Sequence, residues 1–176
     1  MAYNLASESD LRRSLIKQKQ EPCVFISHKK EDESAAIAIG NFLMYTAGVN
    51  IYLDILDDKL QSATKTNDDK AIVQSIKTGL ENSSHLLCLI SDKTKLSWWV
   101  PYEIGIADQQ TKNIASLKLN TTDDVPSFLK IHTTFYNIKE FIRYITPLKP
   151  HGRLFFESFY PDLLANAGSL KQYIDE

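Results

Sequence analysis

Glycine is scarce in this chain, six in 176 residues, and none falls in a G-x-G-x-x-G or G-x-x-x-x-G-K pattern. The usual glycine-rich cradles for nucleotide phosphates are therefore missing, which argues against reversible hydride transfer on a resident dinucleotide. Cysteine is scarcer still. Cys23 and Cys88 each sit in an apolar run, with no C-x-x-C spacing, so buried and reduced thiols are expected. His28, His85, His132 and His151 form no H-E-x-x-H pattern, no Cys/His spacing suits zinc, and there is no Gly-x-Ser-x-Gly elbow; no metal is expected. An excess of one charge is absent too: the formal net charge is −2, with Lys and Arg scattered along the chain, which leaves no electrostatic footprint for nucleic acid. No apolar run approaches the roughly 20 residues of a membrane span. The polar start, with Glu8, Asp10, Arg12 and Arg13, lacks the apolar core of a signal peptide. A cytoplasmic protein with no membrane partner is the expectation.

What the chain does have is a regular alternation. With 43% hydrophobic and 24% charged residues it is long enough to bury one substantial core. Short, nearly continuous apolar runs predict strands at Cys23 to Ser27, Asn50 to Asp54, Leu86 to Ser91, Ile114 to Leu119 and Phe135 to Ile138. Between them lie stretches of helical period. In Glu33 to Ala47, Ala36, Ile39 and Leu43 share a face behind the capping candidates Asp32 and Ser34, and Gly48 ends the helix. Asp69 to Asn82 follows with Ile72, Ile76 and Leu80 behind Asp68, then Trp99 to Gln110 and Lys139 to Ile145. Val125 to Lys130 predicts only one or two turns. Strands buried on both faces and separated by helices imply an α/β fold of flavodoxin-like, doubly wound type, with five parallel strands. Ligands of such sheets bind beyond the carboxyl ends of the strands where strand order reverses, here between the first and third strands.

Residues 1–20 predict an N-terminal helical extension, with Leu11, Leu15 and Ile16 packed on the domain. Residues 21–148 form the main domain, and 149–176 a C-terminal extension. The aromatic run Leu154 to Leu164 in that extension must pack on the sheet's helices or on another copy, since exposure would leave a sizeable apolar patch.

The densest chemistry lies in Ser97-Trp98-Trp99-Val100-Pro101-Tyr102-Glu103-Ile104-Gly105, which sets one carboxylate near a helix start, four residues after a tryptophan. Two readings stand side by side. Glu103 either complements the positive end of a helix dipole, a common role worth about 0.3–1 kcal/mol, or serves as an isolated acid beside an aromatic, the equipment of sugar chemistry. Proline is comfortable only in the first turn of a helix, so Pro101 leaves open whether Trp99 lies inside the helix, on the face of Glu103, or in the loop before it.

Val24-Phe25-Ile26-Ser27-His28 followed by Asp32, the strand Ile51-Tyr52-Leu53-Asp54 with a long loop after it, and the Trp-x-x-x-Glu segment after the third strand together resemble the Toll/interleukin-1 receptor (TIR) domain family, most of all its bacterial, enzyme-type members. The resemblance spans about Pro22 to Leu148. It implies a flavodoxin-like fold and cleavage of the nicotinamide glycosidic bond of NAD, with NAD as substrate and no cofactor. It also implies ADP-ribose, cyclic ADP-ribose isomers or ADP-ribose conjugates as signals in antiphage defence, a Thoeris-type system being one setting. On the family pattern Glu103 is the catalytic glutamate, and Phe25, Ser27, His28, Lys29, Asp54, Ser91, Trp99 and Tyr102 are substrate-binding. Asp54 opens the loop that in the family gates the site or mates with a neighbouring copy.

The chemistry agrees with a single acid. Breaking the ribose–nicotinamide bond passes through an oxocarbenium-like state and expels a neutral leaving group, so one carboxylate suffices where ordinary glycosidases need two. Two function classes remain open: an enzyme that consumes NAD, whose product a separate effector protein reads, and a non-catalytic scaffold acting by TIR–TIR association. A weaker third is a nucleotide-binding or nucleoside-transferring module of related architecture.

Overall fold

The protein was described by a computed structural model, covering residues 1–53, 68–121 and 124–176. Five strands, β1 (Cys23–Ser27), β2 (Asn50–Tyr52), β3 (His85–Ile90), β4 (Asn113–Lys118) and β5 (Thr133–Phe135), form one sheet of order β2-β1-β3-β4-β5. Every pairing is parallel. This is the doubly wound order, with its reversal between β1 and β3.

Six α-helices flank the sheet among the described residues: α1 (Asp10–Gln18), α2 (Glu33–Asn41), α3 (Asp69–Glu81), α4 (Trp99–Gln109), α5 (Ile138–Ile145) and α6 (Phe156–Ala165). Because successive strand side chains point to opposite faces, each strand feeds two cores. Val24, Ile26, Leu87, Leu89 and Leu117 pack with α2, α5 and the C-terminal segment. Cys23, Phe25, Leu86, Cys88 and Ile90 pack with α3 and α4. All five residues of β1 are buried, as a central parallel strand requires.

Local chemistry explains most element ends. The Asp68 side chain accepts from the Ala71 N–H at 3.1 Å and starts α3. Gly48, in the left-handed region at φ 70°, stops the helix that α2 begins and a wider π-type winding, Phe42–Ala47, continues. The expected fifth strand is displaced toward the N-terminus. Asn137 caps α5 by accepting from the Glu140 N–H at 2.9 Å, while Glu140 Oε2 accepts from the Tyr136 N–H at 2.8 Å. These two bonds, a variant of the capping box in which Glu140 reaches the residue before the cap, turn Ile138 into the first residue of a helix. The Val125 to Lys130 crossover is a single 3₁₀ turn, Ser127–Leu129.

The ends are tied down only in part by the residues expected, Ile16 and Leu163 among them. On α1 only Ile16 is buried, whereas Leu11 is 72% and Leu15 47% exposed. Asn4 does the anchoring. Its backbone bridges to Ile51, its amide donates to the Leu53 carbonyl at 3.1 Å, and its Oδ1 accepts from the Leu53 N–H at 3.0 Å. At the other end Leu163, Leu170 and Ile174 enter the α2/α5 core, and the Ile138 N–H donates to the Asp175 carbonyl at 2.8 Å. Tyr160 and Leu164 pack against the same core, whereas Leu154 and Phe155 at the start of the aromatic run stay 79% and 53% exposed.

Candidate active site

Helix α4 begins at Trp99, with Ser97 Oγ accepting from the Val100 N–H at 3.2 Å. Pro101 thus falls in the first turn, where its missing N–H costs nothing. Trp99 lies inside the helix, one turn before Glu103 and on the same side of it. The position of Glu103 removes the helix-dipole reading. The first turn of α4 carries no acid, and Glu103 lies in the second turn, beyond the range over which a helix dipole favours a carboxylate. It lies instead on the buried stripe Val100, Glu103, Ile104 and Ala107, 5% exposed. That is a core position, where an acid is costly unless it is hydrogen-bonded.

Ser27 supplies such a bond. As the last residue of β1 it faces α4, and its Oγ donates to Glu103 Oε2 at 2.5 Å. Beneath the pair, Cys88 neighbours Ser27 across β1 and β3. Burial, seconded by the Glu103 carboxylate, pushes the Cys88 thiol far up, so it remains a neutral wall instead of a nucleophile. Trp99 and Tyr102 meet edge to face, with ring centroids 6.0 Å apart, and are 38% and 36% exposed. They border the buried acid with accessible aromatic surface. Trp98, at 92% exposed, projects from the same end of the helix.

A second hydroxyl–carboxylate pair lies across the sheet. Ser91, just past β3, donates from Oγ to Asp32 Oδ2 at 2.5 Å, and both residues are buried. Asp32 holds the N-cap position of α2 yet makes no side-chain capping bond, contrary to its expected role as a cap. It forgoes a contact typically worth about 1 kcal/mol and reaches the next loop. Sequence reasoning missed it as a site residue, because an acid just before a helix reads as a cap.

The remaining expected residues divide. His28 is half-buried, with Nδ1 3.3 Å from the Ile26 carbonyl oxygen. Lys29 Nζ lies 4.0 Å from Glu31 Oε2. Both therefore border the carboxyl end of β1. Phe25, placed with the binding residues on the family pattern, is instead closed into the core. It is 1% exposed, its ring stacked on Tyr52 at 5.8 Å. Gly79 of α3 leaves room for both rings, since a Cβ there would come within 2.7 Å of each. Asp54 and the loop after it lie outside the described residues. A cleft of about 870 Å³ lined by Pro22, Asn50, His85 and Lys149 opens at the amino ends of β1, β2 and β3, the opposite end from Glu103 and the wrong end of such a sheet for its ligand.

A parallel sheet of this order, with a buried glutamate one helical turn after a tryptophan beyond β3, defines a TIR-type domain. The TIR domain of the Toll-related receptor TRR-2 from Hydra magnipapillata shares the fold, with a TM-score of 0.52 at 19% identity over 77% of this chain and 96% of that one. A family model described as Thoeris protein ThsB, TIR-like domain, matches residues 25–124. That is more than half of the chain, which belongs to this family of bacterial TIR proteins. A curated relative, the probable 3' cyclic ADP-D-ribose synthase ThsB' of Bacillus cereus (strain MSX-D12), is 24% identical over 94 residues, 53% of this chain and 47% of that protein. The chain thus matches about half the length of that relative. No helix among the described residues is long and apolar enough to cross a membrane.

Proposed function

We propose that this protein cleaves the bond between nicotinamide and ribose in NAD, releasing nicotinamide and yielding an ADP-ribose-derived signal in antiphage defence. The observation that carries this reading is Glu103: a carboxylate on the apolar stripe of α4, hydrogen-bonded by Ser27 at the strand-order reversal. A carboxylate at a packing position carries a desolvation cost that an aliphatic residue would not.

The step balances without a general acid. The electron pair of the C1′–N bond leaves with nicotinamide, neutralising its pyridinium charge, and the positive charge passes to the ribose as an oxocarbenium ion. Glu103 stabilises that charge and accepts from ribose hydroxyls, while Ser27 fixes the orientation of the carboxylate. A nucleophile then adds at C1′ and loses its proton. Water gives ADP-ribose, and an internal nucleophile gives a cyclic isomer, the product class in the name of the Bacillus relative. In this reading Trp99 and Tyr102 flank the bound nucleotide and Lys29 offers a point charge to its pyrophosphate. His28 and Ser91 border the same end of the sheet, and on the family pattern Asp54 opens the loop that gates the site. NAD is substrate, self-association through TIR surfaces completes the assembly, and a separate effector reads the product in the cytoplasm.

The test is nicotinamide release from NAD by the purified protein, over concentrations that span self-association, beside Glu103→Gln. Release by wild type and its loss in the variant support the reading. Equal release by both overturns the role of Glu103. Self-association without release by either favours a scaffold acting through TIR–TIR contacts.

A further inference from the structure

From the geometry of the second pair we infer that Asp32 and Ser91 form a latch that sets the distance between the loop after β1 and the loop after β3, making Asp32 a positioning residue for the reaction proposed above, on which this inference rests. A continuous run of hydrogen bonds leads from the latch to α4. The Asp32 N–H donates to the Lys29 carbonyl at 2.8 Å, closing the first loop. Across the pair, Ser91 Oγ donates to Asp32 Oδ2 and accepts from the Lys93 N–H at 3.1 Å. The Ser91 N–H donates to Thr94 Oγ1 at 2.8 Å, and Thr94 Oγ1 donates to the Leu89 carbonyl at 3.2 Å. The Thr94 carbonyl accepts from the Ser97 N–H at 3.0 Å, and Ser97 Oγ caps α4 through Val100. Glu103 follows one turn later. Asp32 and Thr94 are buried at 7% and 1% exposure, so water does not compete for these bonds.

The two loops joined in this way carry Lys29 on one side and Trp99 with Glu103 on the other. The Ser91 hydroxyl is committed to Asp32 and the Lys93 N–H, so in this inference Ser91 acts through the loops and not on substrate, and releasing the latch lets the two sides of the site separate. Displacement of reacting groups by about 1 Å costs up to about 100-fold in rate.

The experiment compares Asp32→Ala, Asp32→Asn, Ser91→Ala and the double variant Asp32→Ala/Ser91→Ala. Readouts are kcat and KM for nicotinamide release, normalised to folded protein, and amide hydrogen exchange. Asp32→Ala and Ser91→Ala each lower kcat roughly 10- to 100-fold with little change in KM. The double variant loses no more than the worse single one, because both break the same bond. Asp32→Asn, which still accepts from Ser91, recovers most of the rate; a residue that only stabilised the fold would change the melting temperature and leave kcat per folded molecule alone. Should Asp32→Ala fail to fold, Ser91→Ala and Asp32→Asn carry the same comparison. Hydrogen exchange separates the latch from the reaction. Faster exchange at Ser97 and Val100 in Ser91→Ala, with β4 unchanged, supports the latch even if wild type releases no nicotinamide. Unchanged exchange there, or additive rate losses in the double variant, overturns it.

Discussion

Two hydroxyl–carboxylate pairs flank the point where the sheet reverses its order, alike in chemistry and opposite in place. Ser27 joins Glu103 on the α3/α4 side, and Ser91 joins Asp32 on the α2 side, each bond 2.5 Å long and each carboxylate nearly buried, at 5% and 7% exposure. In the first pair a strand end grips the body of a helix beside exposed aromatic rings. The second ties one loop to another within a closed network. Burial and a short bond are common to both pairs, so the roles proposed for Glu103 and Asp32 rest on their different surroundings.

The largest expected effect is at Glu103. Glu103→Gln lowers nicotinamide release about 100- to 1,000-fold while the fold persists, whereas Asp32→Asn retains most of the rate. Equal losses in the two variants, measured by product chromatography, would erase the distinction between the pairs. Ser27→Ala comes next. Glu103 loses the donor from Ser27 and with it some of its fixed orientation, so the rate falls about tenfold, equivalent to roughly 1.4 kcal/mol. Chemical denaturation should show a stability loss of about 1–3 kcal/mol, the usual cost of removing one partner of a buried polar contact.

Gly79→Ala tests the reassignment of Phe25. The added methyl meets the Phe25 and Tyr52 rings at 2.7 Å, and overpacking of this kind costs about 1–3 kcal/mol. If Phe25 is purely a packing residue, KM for NAD per folded molecule does not move; a raised KM would return Phe25 to the site. The smallest effect belongs to Asn137→Ala, which removes the cap of α5 far along the chain from both pairs. It should cost about 1 kcal/mol in a denaturant titration and leave the rate unchanged.

The helix from Trp99 was legible in the chain, but the sequence set Glu103 near its start, and only in the structure does it fall on the buried stripe with Val100, Ile104 and Ala107. The start of that helix was open too, and the Ser97 bond to Val100 resolves it by placing Pro101 in the first turn. The displaced β5 was legible in retrospect: Asn137 and Glu140 have capping-box spacing, and the box outcompetes a strand reading of Ile138. Leu11 and Leu15 have the spacing of a packed face, but only Ile16 of that helix is buried, because Asn4 and Leu5 already cover the edge and core beside β2.

By itself the sequence determined the layered architecture, because strands apolar on both faces must be covered by the helices between them, and that requirement is local and repetitive. The sequence also pointed to the doubly wound order with its reversal between the first and third strands, whereas the pairing of polar groups at the carboxyl ends was decided by tertiary structure. Ser27 finds Glu103 across 76 residues and Ser91 finds Asp32 across 59. Nothing within a helical or strand period encodes such a meeting. It follows from the parallel register that sets Ser27 beside Cys88, and from helices packed tightly enough to bring a hydroxyl and a carboxylate within one short hydrogen bond.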